Sequence, residues 1–183
     1  MAIALELLSF RLAPDYSSDF QGAVAVVAAS FNSYRPGRLP DESNEAIACA
    51  TQKICHKTAL PFFAMWEQAD LIDASDVQGV CFPAIGTEHV TTHAFMRWVA
   101  QQICAREENN KVILVGHPHH TRRVAILARY YGLDPVVADE CHAIPYARRH
   151  EGEQYWCVSP LRYIGWEYAC RVMLFLMWLL RRL

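Results

Sequence analysis

The apolar run GAVAVVAAS (Gly22 to Ser30) is continuous rather than alternating, and it gives way to FNSYRPGRLP, rich in Pro and Gly. A short apolar run that ends in turn residues predicts a strand buried on both faces, followed by a loop. Asp41 then stands where a helix would begin, and Ile47, Ala50 and Ile54 form one stripe behind it. LPFFAMW (Leu60 to Trp66) predicts a second strand and GVCFPAIG a shorter third. From Thr87 to Arg106 the spacing turns helical, with Phe95, Trp98, Val99 and Ile103 on one face. KVILVG is the cleanest strand in the chain. After it, Val124, Leu127, Ala128 and Tyr131 fall at i, i+3, i+4 and i+7, the spacing of an amphipathic helix, and Gly132 is placed to stop it. PVVAD reads as the next strand.

Strands alternating with helices imply crossover connections and a mostly parallel sheet covered on both faces. The expected architecture is therefore α/β, a Rossmann-like three-layer sandwich. At 183 residues, with no repeat, low-complexity tract or linker, a single domain over 1–183 is expected.

Composition narrows the function. The chain is 53% hydrophobic and 20% charged, which fits a globular protein. A net charge of -2 gives no reason to expect nucleic acid. The seven cysteines (49, 55, 81, 104, 141, 157, 170) show no C-x-x-C spacing, and their odd count speaks against a disulfide framework. Buried free thiols and a cytoplasmic setting are the expectation. MAIALELLSFRLAP lacks a basic start and carries Glu6, so it does not read as a signal peptide.

The final segment, YIGWEYACRVMLFLMWLLRRL, is strongly apolar, but Glu167 and Arg171 interrupt it, and Val172 to Leu180 alone is too short to span a bilayer. It predicts an apolar C-terminal helix that packs on the domain, on a second copy in a homodimer, or against a membrane surface through Trp178 and the Arg181–Arg182 pair.

The chemistry concentrates in GHPHHTRR, at the carboxyl end of a strand that enters a helix. Open α/β sheets bind ligands beyond such ends, and a helix N-terminus favours an anion. Two arginines in a first turn oppose the helix dipole, a conflict that a bound phosphate or carboxylate would remove. Arg123 is read as gripping that anion, with Arg122 able to point into solvent instead. His117, His119 and His120 admit three accounts: metal ligands, an acid or base near neutral pH, or local helix capping. The H-x-H of His117 and His119 is similar to motifs of metal-dependent hydrolases, though no further carboxylate ligands are evident. There is no G-x-G-x-x-G, P-loop, G-x-S-x-G or H-E-x-x-H.

The order of motifs resembles the YdcF/SanA/ElyC-like family, a bacterial domain of largely unknown function. VGHPHHTRRVA resembles that family's V-T-S-x-x-H-x-x-R-A signature through Val115, His120 and Arg123. EHVT resembles its E-x-x-N-T segment through Glu88 and Thr91, with Val90 in place of Asn, and WEYACRVMLFL its terminal helix through Glu167. Two Gly-rich turns of the family appear here as AASFNSY and AMWEQ, which put Ala29, Ser30, Met65 and Glu67 where glycine is usual, as in a divergent member. The resemblance implies a Rossmann-like fold with a pocket at the carboxyl strand edge, lined by His120, Arg123 and Thr91. It also implies a link to the cell envelope and a nucleotide-like, S-adenosylmethionine-like or otherwise phosphate-bearing ligand.

The leading expectation is a small-molecule site with Arg123 as the anion grip, His120 as acid or base, and Thr91 as a hydrogen-bonding wall. His117, His119, Glu67 and Glu88 are further candidates to line it, and Arg38, Arg148 and Arg149 could supply a second charge. No resident metal is assigned in this reading, and whether the protein turns a substrate over is left open. The alternatives are a catalytically silent binding module and a metal-dependent hydrolase built on His117, His119 and His120.

Overall fold

A computed structural model describes residues 5–7, 9, 11, 13–31, 41–72, 77–81, 90–105, 109–147 and 155–180. Among these residues six strands form one sheet: β1 (Tyr16–Ser17), β2 (Ala25–Ala28), β3 (Phe62–Met65), β4 (Val77–Cys81), β5 (Lys111–Val115) and β6 (Asp134–Ala138). Their order across the sheet is β1-β6-β5-β2-β3-β4, and every pairing is parallel. The helices are α1 (Glu42–Thr58), α2 (Trp66–Ala69), α3 (Thr92–Cys104), α4 (Pro118–Tyr130) and α5 (Pro160–Leu180). The protein is a Rossmann-like α/β sandwich with an apolar terminal helix.

The two-sided cover follows from connection handedness. The chain moves from β2 through α1 to β3 in one direction across the sheet. It moves from β4 through α3 to β5, and through α4 to β6, in the other. Right-handed crossovers therefore place α1 on one face and α3 and α4 on the opposite one. There α4 packs between α3 and α5. Strands covered on both faces need apolar side chains on both, which is why Ala25–Ala28 and Val112–Val115 are uninterrupted and buried.

Local chemistry sets the element ends. Asp41 caps α1 by accepting from the Asn44 N–H at 2.8 Å. Gly132 ends α4 with φ +86°, and Leu133 N–H reaches back to Ala128 O, the paired closure a glycine permits. Two expectations are adjusted. The second strand stops at Met65, because Trp66 begins the four-residue α2, and the third starts earlier than expected, at Val77. Strand β1 had no signal, since two residues carry no periodicity.

The connections from β2 and β5 leave in opposite directions, so the crevice between these neighbouring strands is the switch point of the sheet. Ala28 pairs with Val115 at its rim, and Ala29 N–H donates to Val115 O at 2.9 Å.

Candidate functional site

At the switch point, Gly116 allows a close turn. A Cβ there would lie 3.1 Å from Thr121 Cγ2 and 3.2 Å from Ala29 O. His117 follows as the N-cap of α4 and Pro118 takes the first helical position. His117 Nδ1 accepts from the His119 N–H at 3.3 Å, and its carbonyl accepts from the N–H groups of His120 and Thr121, both at 2.9 Å. Pro118 has no N–H to offer. The N–H groups of His119, His120 and Thr121 are thus engaged inside the chain.

The three histidines have different surroundings. His117 is fully buried, stacked on Phe31 with ring centroids 3.7 Å apart and flanked by the Tyr146 ring at 4.3 Å. Burial, with a smaller contribution from His119, pushes its pKa down to about 3, so the ring is neutral. With Nδ1 accepting, the proton sits on Nε2, and this enclosed donor has no hydrogen-bond partner among the described residues. His120 is buried too, with Nε2 3.1 Å from Thr92 Oγ1. Its pKa is driven well down by burial, then by Arg123 and His117, and a backbone contact with Ser30 opposes the shift. His119 is only half-buried, and its Nδ1 bonds to the Tyr146 hydroxyl. Burial lowers its pKa, Glu167 raises it and Arg171 lowers it further.

Beside the histidines lies a buried charge cluster. Glu167, fully buried on α5, accepts from Arg123 Nε at 2.9 Å, Arg171 Nε at 3.0 Å and the Tyr163 hydroxyl at 3.0 Å. Arg171 also donates to the carbonyls of Ser9 and Arg11. Burial disfavours charge on Arg123, but Glu167 and Tyr163 outweigh it and keep the guanidinium protonated. One carboxylate thus serves two guanidiniums, and the cluster carries an excess positive charge among the described residues. Arg122 faces elsewhere. It donates to Ala13 O and Ser9 Oγ and borders a separate cleft of about 450 Å³ along the β1–β6 edge. There Arg129 pairs with Glu6 at 2.7 Å and Arg11 pairs with Asp15.

On the other side of Phe31, Ser30 Oγ donates to Glu67 Oε2 at 3.2 Å. Asn44 Oδ1 accepts from the Phe31 N–H at 3.2 Å and from Gln68 Nε2 at 2.8 Å. Cys157 Sγ donates to Phe31 O at 3.0 Å. Phe31 is therefore fastened at both backbone groups, while its ring packs on His117 and, at 4.7 Å, on Tyr163.

The structure brings His117, His119, His120 and Arg123 together, and sets the buried Glu67 at the carboxyl end of β3. Thr91 instead caps α3, accepting from the Ala94 N–H at 3.1 Å, and its neighbour Thr92 makes the contact with His120. Glu88, Arg38, Arg148 and Arg149 lie outside the described residues. Phe31, Asn44, Gln68, Tyr146 and Tyr163 carried no site signal in the sequence. The pairing of Glu167 with Arg171 did have one, since an i, i+4 acid and base inside an apolar helix invites a buried pair. No group of three His, Cys, Asp or Glu side chains among the described residues is arranged to hold a metal ion. Comparison of the chain with models of known families, with curated proteins and with solved structures finds no match.

Proposed function

We propose that the protein binds a small anionic molecule in the switch-point crevice between β2 and β5. The observation that carries this is the buried pair of guanidiniums sharing one carboxylate, next to a histidine N–H donor with no acceptor. Excess positive charge in a low-dielectric setting is costly, and a phosphate or carboxylate at the mouth relieves it. The groups that would meet it are His119, half-buried and bonded to Tyr146, and Arg123, whose side chain is 13% accessible, with His117 and Tyr163 packed against the Tyr146 ring.

A nucleotide-like, S-adenosylmethionine-like or sugar-phosphate ligand fits this chemistry, in line with the resemblance to the YdcF/SanA/ElyC-like family. Proton transfer in the crevice falls to His119 paired with Tyr146, because His120 is enclosed and engaged by Thr92. Through Thr92, His120 then ties α4 to the start of α3 beside the site.

Thermal melting against inorganic phosphate, nucleotides, S-adenosylmethionine, sugar phosphates and divalent metals tests the reading. Ligand at 100 times its dissociation constant adds about 2.7 kcal/mol to stability. The expected result is a shift with an anionic compound that disappears in His119→Ala, a variant whose own melting stays near that of the parent. Shifts with metal alone, or with nothing in the panel, overturn it. Loss of the shifted compound on incubation separates turnover from silent binding.

A further inference from the structure

Helix α5 has two unlike faces. Tyr163, Glu167, Cys170 and Arg171 are buried against the domain, and Leu174 packs on the core beyond them. The outward face exposes Leu161 and Trp166 early in the helix, and after Arg171 it exposes six more apolar side chains, Val172, Met173, Leu176, Met177, Leu179 and Leu180, Leu176 by 50% and Leu180 by 71%. At 3.6 residues per turn these six side chains cover a sector of roughly 160°. No charged residue falls between Arg171 and Arg181, and Arg171 is turned inward onto Glu167. Two arginines, Arg181 and Arg182, follow the apolar tract directly in the sequence. The helix is long and apolar enough to cross a membrane by length and composition, and 28% of its most apolar window is buried.

We propose that the C-terminal part of this outward face docks the protein on the surface of an anionic lipid bilayer, lying in the interface without spanning it. Three physical points select that occupant. The exposed sector is wider than the roughly 100° stripe that a single packed partner covers, and close to what half-immersion in a planar interface covers. The basic pair beside it complements anionic headgroups, each such charge adding to the attraction near the surface. The opposite face is held on the domain by the Glu167 pairs with Arg123 and Arg171 and by Leu174. The uncharged tract after Arg171, nine residues, is about 13 Å long, under half of a hydrocarbon core of about 30 Å. An apolar crevice under the helix, lined by Leu7, Ile126, Leu127, Leu174, Met177 and Trp178, continues the same surface onto α4.

Co-sedimentation with vesicles of phosphatidylcholine and phosphatidylglycerol, against phosphatidylcholine alone, tests the proposal. The full-length protein is expected to pellet with the anionic vesicles and to be released as salt is raised. Each of L176E and L180E lowers the partition coefficient roughly tenfold or more, since each removes a large apolar side chain from the interface. Both positions are exposed, so circular-dichroism melting of these variants should follow the parent. Absence of pelleting, or pelleting that L176E leaves unchanged, overturns it. So does a lipid-free dimer in sedimentation velocity that L176E dissolves, which assigns the face to a second copy. Resistance of the bound protein to alkaline carbonate extraction also overturns it, in favour of a spanning helix.

Discussion

Glu167 accepts from three donors in the interior, two of them guanidiniums. Removing the carboxylate alone leaves two like charges buried without a counter-ion, whereas removing all three ionised groups leaves an apolar site. Glu167→Ala is therefore expected to cost about 3–5 kcal/mol in urea denaturation, and the triple variant R123M/E167L/R171M to recover most of it. Equal losses in the single and the triple would show that packing, not charge, sets the cost. The histidines give a second residue-scale test. His117 titrates near 3 when folded against 6.5 ordinarily, and His120 is likewise depressed. The unfolded chain then takes up protons first as pH falls. Their contribution to stability is whole above pH 6.5 and is lost progressively below it, by up to about 1.4 kcal/mol per pH unit for each ring. His117→Gln should flatten this acid-side loss by about one ring's share, measured as stability against pH. An unchanged slope would place the proton uptake elsewhere.

Among the elements, α1 does more than cover the sheet. Its first turn supplies Asn44, whose side chain holds the Phe31 backbone and Gln68 together, while Asp41 fixes the turn. Asn44→Ala leaves a buried N–H and a buried amide without their acceptor, so a loss of about 1–3 kcal/mol is expected in chemical denaturation. The same variant loosens Phe31 over His117, and so should weaken any ligand that the parent binds in the crevice. At the far end of α4, Gly132 sits at φ +86° with open space around its Cα. Gly132→Ala is expected to cost about 1 kcal/mol through backbone strain alone.

For the whole molecule, the sheet is the frame and its centre is the rigid part. Strands β2 and β5 each have neighbours on both sides, whereas β1 is two residues long and, among the described residues, pairs only with β6. Hydrogen exchange should find Val26 and Ile113 opening only with global unfolding, and the Tyr16–Ser17 edge opening first. Comparable protection at both would mean that β1 is held by more than its ladder. Helix α5 ties two faces of the protein together, since the side that meets the sandwich carries Glu167 and the opposite side is apolar and exposed.

The sequence by itself determined the α/β class, the run of the main strands and helices, and the place of the candidate site after β5. Those properties follow from local periodicity, from Asp41 and Gly132 at helix ends, and from continuous apolar runs that only a two-sided sheet can bury. It also flagged Glu167 and Arg171 as interruptions in an apolar helix. What only the tertiary structure decided is who meets whom. Phe31 stacks on His117 because the strand order makes β2 and β5 neighbours across more than eighty residues of chain. Thr92 rather than Thr91 reaches His120, a matter of one residue on a helical turn. Arg123 met an internal carboxylate because α5 folds back across α4, and the three histidines parted into two buried members and one half-buried through the packing of Phe31, Tyr146 and Thr92 around them. Periodicity is a property of neighbours along the chain, while burial and charge pairing are properties of neighbours in space.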